Sequence, residues 1–300
     1  MSDANSQSIP ESLQKWRDQL RPFNYEGDNI FVHTAGKAET EGHGVLIVHG
    51  FPGSSWDWAG VVPLVAERTR VVVIDMVGFG QSDKPLDGIY EDHYSLFKQA
   101  DRYEAVAKKE GLREVMLVIH DMGQSVGAEL MKRQQEGKLT FKIRHAIVFN
   151  GSTLINLVVL NDLQKKLLGM PDELGPNLPA ATFVEGLRGT FSNEHSASDE
   201  TLEIMAAQIL EKDGDRVMPR IIRYMKERQH ELERWGSGIT NFNGPVSMFW
   251  GLQDPVSVEK MADAWKDMQP RIELHKWPDV AHWPSIEVPD RVAKKILDRY

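Results

Sequence analysis

Short apolar runs, rich in β-branched residues, alternate along the chain with segments whose apolar residues recur at helical spacing. Runs that are apolar at nearly every position are typical of strands buried on both faces, so this alternation predicts a mostly parallel sheet covered by helices. The earlier Phe31-Val32-His33 region is expected to add antiparallel strands at one edge. The predicted parallel strands are Val45–Val48, Val71–Ile74, Val115–Ile119, Ile143–Phe149, Val246–Trp250 and Ile272–Trp277.

The strand pattern stops between about Ser152 and Phe242, where helical spacing takes over. Met218, Ile221, Ile222 and Met225 recur at i, i+3, i+4 and i+7, which predicts one helix with a single apolar stripe. We therefore predict an α/β core formed by residues 1–151 and 243–300, with an inserted helical cap at residues 152–242. A last helix is predicted to begin near Pro289.

Two candidate nucleophiles follow the strand Val115–Ile119. The run ends two positions before Asp121 and six before Ser125, although Gly123 to Gly127 match the serine-hydrolase pattern G-x-S-x-G. A nucleophile on a strand-turn-helix elbow must come directly after the buried strand. This register favours Asp121 and predicts that Ser125 merely fills the first turn of the following helix.

Three other predicted strands end in loops that carry polar residues. The loop His49-Gly50-Phe51-Pro52 follows the first parallel strand and is expected to supply backbone N–H groups for an oxyanion hole. Asp254 follows the strand Val246–Trp250, and His282 follows the last strand. Because parallel strands end at the same edge of a sheet, the order nucleophile, acid, histidine predicts a catalytic triad of Asp121, Asp254 and His282.

Composition narrows the possible functions. The chain of 300 residues contains no cysteine, which excludes disulfides and thiolate metal sites. Its formal net charge of −9 disfavours nucleic acid as a partner. The segment Met1–Gln14 is polar, and no apolar span approaches the roughly 20 residues that a membrane helix needs. We expect a cytoplasmic protein that needs no cofactor or metal and has no membrane partner.

Motifs over nearly the whole chain resemble those of the α/β-hydrolase superfamily, and specifically its aspartate-nucleophile branch of epoxide hydrolases and haloalkane dehalogenases. The closest pattern is that of the mesoderm-specific transcript-like hydrolases. The resemblance implies an α/β-hydrolase fold with a mostly parallel eight-stranded sheet. The segments that carry it are His49-Gly50-Phe51-Pro52, Asp75 to Pro85, His93-Tyr94-Ser95, Gln99-Ala100-Asp101, His120-Asp121-Met122-Gly123, Asn150-Gly151, Tyr224 to Trp235, Asp254-Pro255 and His282.

An aspartate nucleophile suits attack on saturated carbon because its carboxylate is already ionised at neutral pH. We expect Asp121 to form an ester, His282 held by Asp254 to activate water, and the N–H groups of Phe51 and Met122 to stabilise the oxyanion. Tyr224 matches in position the cap tyrosine by which epoxide hydrolases polarise the ring oxygen, although their second tyrosine has no counterpart here. The expected substrate is a small apolar epoxide, which reacts with water.

Three alternatives remain open. A haloalkane dehalogenase would use the same Asp121 chemistry, but dehalogenases typically place a tryptophan after the nucleophile and an asparagine in the oxyanion loop, where this chain has Met122 and Phe51. The arginine clamp of fluoroacetate dehalogenases near the elbow is also replaced, by Met122 and Ser125. A serine esterase or lactonase would use Ser125. A binding protein on a hydrolase scaffold would have little turnover.

Overall fold

The fold, described here from a computed structural model that covers residues 9–171 and 173–300, is an eight-stranded sheet flanked by helices. The spatial order of the strands is β1-β2-β4-β3-β5-β6-β7-β8. The strands are β1 Arg21–Tyr25, β2 Asp28–Ala35, β3 His43–Val48, β4 Val71–Asp75, β5 Glu114–Asp121, β6 Lys142–Gly151, β7 Val246–Gly251 and β8 Glu273–Trp277.

Helices cover both faces of the sheet and fill the interval between β6 and β7. They are α1 Glu11–Arg17, α2 Val62–Ala66, α3 Tyr90–His93, α4 Leu96–Lys109, α5 Gly123–Gln135, α6 Asp162–Gly169, α7 Ala180–Arg188, α8 Asp199–Leu210, α9 Gly214–Ile221, α10 Tyr224–His230, α11 Leu232–Thr240, α12 Glu259–Met268, α13 Pro284–Glu287 and α14 Pro289–Leu297, with short 3₁₀ helices at Ser55–Trp58, Ile155–Leu157 and Glu211–Asp213.

The strand pairing confirms the predicted sheet. All six predicted parallel strands form, and β1 and β2 lie antiparallel at one edge, with β2 also antiparallel to β4. Neighbouring residues of β3 point into different hydrophobic clusters, with Val45 and Ile47 in one and Leu46 and Val48 in the other. The central strands are therefore buried on both faces, which is why their sequences are apolar without alternation.

The interval from 152 to 242, which we call the cap, contains only helices and loops among its described residues. The apolar stripe predicted as one helix is divided between α9 and α10, so that prediction was wrong. The chain turns at Ile222 and Arg223, and Met225 belongs to the second helix. Spacing alone cannot reveal this break, because the apolar residues before the break and those after it are equally buried.

The last helix begins as predicted, with Pro289 in its first turn, and its Val292, Ala293 and Ile296 are buried. Of the polar segment Met1–Gln14, the first eight residues lie outside the described residues. Among the residues that are described, no helix is both long and apolar enough to cross a bilayer.

Candidate active site

Asp121 lies at a sharp bend between β5 and α5. Its backbone has φ 45°, a left-handed conformation that costs free energy for a residue with a side chain, and α5 begins two residues later at Gly123. A Cβ atom at Gly123 would lie 2.5 Å from the carbonyl oxygen of His49. The glycine therefore allows the start of α5 to pass close to the β3 loop, and the bend presents Asp121 at the carboxyl edge of the sheet.

The loop after β3 meets the Asp121 carboxylate directly. The N–H of Phe51 donates a hydrogen bond to Asp121 Oδ2 at 2.9 Å. Gly50 makes this approach possible, because a Cβ there would lie 2.6 Å from the Cβ of Asp121. His49 holds the loop through two hydrogen bonds of its imidazole. Its Nε2 accepts from the N–H of Met76 at 3.0 Å, and its Nδ1 donates to the carbonyl of Gly50 at 2.9 Å.

The second donor to Asp121 differs from the one expected. The hydroxyl of Ser152, just beyond β6, donates to Asp121 Oδ1 at 2.6 Å. Among the described residues, the Met122 N–H makes no hydrogen bond to this carboxylate. The sequence alone does not distinguish Ser152 from an ordinary turn residue at the end of a strand. Its position after a strand adjacent to β5 was the signal that could have identified Ser152.

His282 and Asp254 form a buried pair at the same edge. His282 Nδ1 lies 2.8 Å from Asp254 Oδ2, and both residues are almost completely buried. Asp254 Oδ1 accepts from the N–H groups of Val256 and Ser257 at 2.7 and 2.9 Å, which compensates for the lost hydration of the carboxylate. This arrangement fixes the orientation of the imidazole and leaves its Nε2 available.

Asn150 holds the acid in place, a role that sequence reasoning also missed. Its side chain donates to Asp254 Oδ2 at 2.8 Å and accepts from the N–H of Gly251 at 2.8 Å. Asn150 has φ 41° and lies where the β5–β6 register shifts between His120 and Asp121. This irregularity turns the asparagine toward β7, so its side chain joins the end of β6 to the end of β7 and to the loop that carries Asp254.

The electrostatics keep Asp121 ionised. Burial by itself would raise the pKa of Asp121, but His282, His120, Arg228 and the Ser152 hydroxyl together lower it below the ordinary value. Burial likewise acts to lower the pKa of His282, yet Asp254 and then Asp121 raise it to about 9. The resting site therefore holds a carboxylate anion beside an imidazolium cation.

His120 helps to position His282 and is itself uncharged. Burial lowers the pKa of His120 to about 4, so this imidazole is neutral at pH 7. Its Nε2 donates to the backbone carbonyl of His282 at 2.6 Å. The neutral ring therefore positions the loop that carries His282 and adds no competing positive charge.

The cap contributes Tyr224 and Arg228 from one turn of α10. The ring of Tyr224 packs against Phe51 with 5.5 Å between centroids, and the guanidinium of Arg228 lies 4.8 Å from the Tyr224 ring. Burial, with the nearby negative charge of Asp121, raises the pKa of Tyr224 above its ordinary value, so the phenol stays protonated. Among the described residues its hydroxyl makes no hydrogen bond, which leaves the proton available to a ligand.

Ser125 has a different role from the one predicted. It is fully buried in the first turn of α5, and its hydroxyl accepts from Arg228 Nε at 3.0 Å and lies 3.1 Å from Thr153 Oγ1. The prediction that Ser125 only fills the helix was wrong, because it anchors a cap residue. Arg228 itself was missed, since its approach to the elbow depends on how the cap docks.

A small apolar cavity lies beside His282. Its volume is about 40 Å³. A larger groove of about 820 Å³ shares several of its lining residues and opens between the cap and the β7 loop. Residues that line the cavity include Phe51, Pro52, Leu163, Phe183, Leu187, Val256, His282 and Trp283. In the described part of the chain, no group of three His, Cys, Asp or Glu side chains could hold a metal ion.

Comparisons with known proteins agree with this architecture. The protein LipZ of Mycobacterium tuberculosis, which is named only as a hydrolase, is 30% identical over 287 residues, covering 95% of this chain and 97% of LipZ. The human mesoderm-specific transcript homolog protein is 29% identical over 293 residues, covering 94% of this chain and 85% of that protein. This likeness confirms the predicted resemblance to the mesoderm-specific transcript-like hydrolases.

The crystal structure of haloalkane dehalogenase DbeA from Bradyrhizobium elkani superposes with a TM-score of 0.73 at 18% identity, covering 93% of this chain and 96% of the other, which is a likeness of fold alone. The model of the alpha/beta hydrolase fold family matches residues 45–289. The chain therefore belongs to the α/β-hydrolase family and is a hydrolytic enzyme.

Proposed function

We propose that this hydrolase opens an epoxide to a diol through an ester on Asp121. The observation that carries the proposal is the position of Asp121, which occupies the strand-helix bend as an anion between the Phe51 N–H and the Ser152 hydroxyl. An anion fixed in this way can attack saturated carbon without a base to generate it. Ser125, in contrast, is buried in the helix and bonded to Arg228 and Thr153.

The first step forms a carbon–oxygen bond from Asp121 to a ring carbon and breaks the ring C–O bond. Oδ2 is held by the Phe51 N–H and becomes the carbonyl oxygen of the ester, so Oδ1 attacks and Ser152 orients it. The electron pair of the broken bond goes to the ring oxygen, which takes a proton from the Tyr224 hydroxyl. A protonated phenol close to Asp121 is the acid that an alkoxide leaving group requires.

Hydrolysis of the ester needs His282 as a base. Esterification removes the negative charge of Asp121, which is one of the causes that raise the pKa of His282, so the imidazolium loses its proton more readily in the intermediate. That proton goes to the Tyr224 phenolate left by the first step, which restores the phenol and leaves His282 neutral. Neutral His282 then accepts a proton from water as the water oxygen attacks the Asp121 carbonyl carbon. The Phe51 N–H stabilises the oxyanion, and the departing alkoxide takes the proton from His282. The Asp121 carboxylic acid that remains then protonates His282, which restores the resting carboxylate and imidazolium.

Isotope labelling tests this route. A panel of styrene oxide, 1-bromohexane and p-nitrophenyl butyrate would first identify a turned-over substrate. A single turnover in H₂¹⁸O with excess enzyme is then expected to place ¹⁸O in the carboxylate of Asp121, detected by mass spectrometry of the peptide that contains it. The variant Ser125→Ala should retain this labelling, since the serine takes no part in the bond changes.

Each alternative gives a different result. Label absent from Asp121, together with an acyl group on Ser125, would establish the serine esterase route. Turnover of the bromide with label in Asp121 and no activity on epoxides would assign the dehalogenase reaction. A complete lack of turnover across the panel would leave a binding protein as the better description.

A further inference from the structure

Arg228 is a buried cation whose hydrogen-bonding capacity is largely unused. Its side chain is 0% exposed, and neither Nη1 nor Nη2 has a hydrogen-bond partner among the described residues. Withdrawing a guanidinium from water without an anionic partner costs free energy, and folded proteins rarely leave such a group unpaired. This arrangement is typical of a side chain whose partner arrives with a ligand.

The guanidinium is fixed in one pose. Nε donates to Ser125 Oγ at 3.0 Å, Ser125 is held in turn by Thr153, and the guanidinium packs at 4.8 Å from the ring of Tyr224. These contacts occupy one edge and one face of the planar group. The two Nη groups remain as a preorganised fork, which is the geometry that pairs with a carboxylate through two parallel hydrogen bonds.

Other arginines of the cap are already engaged. Arg223 donates from both Nη groups to the backbone carbonyls of Leu168 and Met170. Arg234 pairs with Glu129 and Glu136. Because these neighbours use their Nη groups within the protein, the free fork of Arg228 is specific to its position and does not reflect a general shortage of acceptors in the cap.

The fork lies close to the reacting groups. The charge of Arg228 contributes to the lowered pKa of Asp121, the Tyr224 ring contacts both Arg228 and Phe51, and the Phe51 N–H binds Asp121. Phe51 also lines the apolar cavity beside His282. A ligand that reaches from Arg228 past Tyr224 to this cavity would place an anionic end, an electrophilic carbon and an apolar body in that order.

We propose that Arg228 binds a carboxylate of the substrate, so that the enzyme acts on epoxides that carry a carboxylate next to the ring. The proposal rests on the epoxide reaction at Asp121 and changes the expected substrate from a wholly apolar epoxide to an acidic one. Arg228 would hold the carboxylate, Tyr224 would protonate the ring oxygen, and Asp121 would attack a ring carbon. A single planar cation with two free N–H groups fits a carboxylate monoanion.

A substrate pair that differs only in charge tests the fork. Glycidate and glycidamide have nearly the same shape, and kcat/KM is expected to be at least tenfold higher for the acid in the wild-type enzyme. Arg228→Gln should lower kcat/KM for glycidate by about 100-fold or more. For glycidamide the loss should be at least tenfold smaller, because it reflects only the effect of the Arg228 charge on Asp121. The matched control Lys226→Gln removes the same charge from an exposed position of α10 and should change neither value.

Equal rates for acid and amide in the wild type would overturn the proposal. So would an equal loss of both in Arg228→Gln, which would mean that the guanidinium acts on the ring oxygen or on Asp121. Arg228→Lys keeps the charge without the fork and should restore glycidate turnover only in part. Melting temperatures check the fold: a carboxylate site predicts little or no loss of stability in Arg228→Gln, whereas a structural role predicts a clear loss.

Binding of the diol acid separates this proposal from the reaction itself. Calorimetric titration with glycerate, compared with glyceramide, needs no turnover. Glycerate bound by the wild type and by Lys226→Gln but not by Arg228→Gln would support the fork even if labelling of Asp121 failed. Labelling of Asp121 without any preference for glycerate over glyceramide would uphold the epoxide reaction and reject the carboxylate site.

Discussion

At the scale of single residues, Asp121 and His282 are adapted to two successive steps. Asp121 must be an anion before the reaction, and the cations around it lower its pKa. His282 must be neutral after the ester forms, although Asp254 and Asp121 raise its pKa to about 9 in the resting enzyme against the effect of burial. Ester formation removes one of these two anions, so the first step itself prepares the base for the second.

Removal of the base should therefore trap the intermediate. His282→Gln is expected to lower steady-state turnover by about 10³-fold or more while leaving ester formation possible. Intact-protein mass spectrometry after mixing with substrate should show the mass of one substrate added to the chain. Asp121→Asn serves as the control that cannot form this ester, and an adduct of equal yield in that variant would contradict the assignment.

Residues at the ends of the strands differ in how far the sequence could predict them. Asp121, Asp254 and His282 were placed at one edge because each lies within five residues after the end of an apolar run, and the structure brings them there. Ser152 and Asn150 also follow such a run, but serine and asparagine are common turn residues. Their contacts with Asp121 and Asp254 depend on a one-residue shift in strand register, which composition does not encode.

At the scale of elements, α10 determines what the cap contributes to the site. Glu227, on this helix, accepts hydrogen bonds from the Tyr90 hydroxyl at 2.7 Å and from the Leu96 N–H at 2.7 Å. On the next helix, α11, Arg234 pairs with Glu129 of α5. These long-range polar contacts orient the side chains of α10 toward Asp121, and local spacing could not predict them. This is why Tyr224 was inferred by resemblance and Arg228 was missed.

The position of Tyr224 gives a prediction specific to the leaving group. Tyr224→Phe removes only the hydroxyl and keeps the ring contacts with Phe51 and Arg228, so the fold should be unchanged. We expect the rate of ester formation from an epoxide to fall by about 10²- to 10⁴-fold, as for loss of a general acid. Rapid-quench measurement of the first turnover would show this.

The control for that experiment is the second half-reaction. Decay of a preformed ester should be almost the same in Tyr224→Phe and in the wild type, because the phenol acts on the ring oxygen and not on the attacking water. If Tyr224→Phe slowed ester decay and left ester formation unchanged, Tyr224 would act in hydrolysis of the ester and not in opening of the ring.

At the scale of the whole molecule, buried titratable groups link stability to pH in two directions. Burial lowers the pKa of His33, His49 and His120 to about 4, so the unfolded chain binds protons there that the folded protein does not. Stability from these groups is present above pH 6.5 and is lost as the pH falls toward 4. Asp57, whose pKa burial raises to about 8, and His282 have the opposite effect. The folded protein binds protons on these two groups that the unfolded chain does not, so the stability they contribute is lost as the pH rises.

We therefore expect the melting temperature to be highest near pH 6.5 to 7. Below this range, protonation of the three histidines favours the unfolded chain. Above it, the folded protein retains protons on Asp57 and His282 that the unfolded chain has released, so stability falls as the pH rises to about 9. Scanning fluorimetry between pH 5 and 9 measures the profile.

Asp57→Asn provides the matched test of this profile. The amide oxygen can still accept from the Ser54 N–H, now 3.0 Å from Asp57 Oδ2, but it does not titrate. The decline between pH 7 and 9 should become markedly shallower. The rise between pH 5 and 6.5 should become steeper, because the proton that folded Asp57 holds from about pH 4 to 8 opposes the effect of the three histidines there. An unchanged alkaline decline in the variant would count against a proton held on Asp57.

The hydroxyl of Ser125 has a practical consequence for profiling this enzyme in cell extracts. Fluorophosphonate reagents report hydrolases by phosphonylating an exposed, activated serine, and here the G-x-S-x-G serine is 0% exposed and committed to Arg228 and Thr153. Such reagents should leave the enzyme untagged even when it is fully active. An inventory of hydrolases built on that chemistry would miss it, whereas an alkylating warhead directed at carboxylates would not.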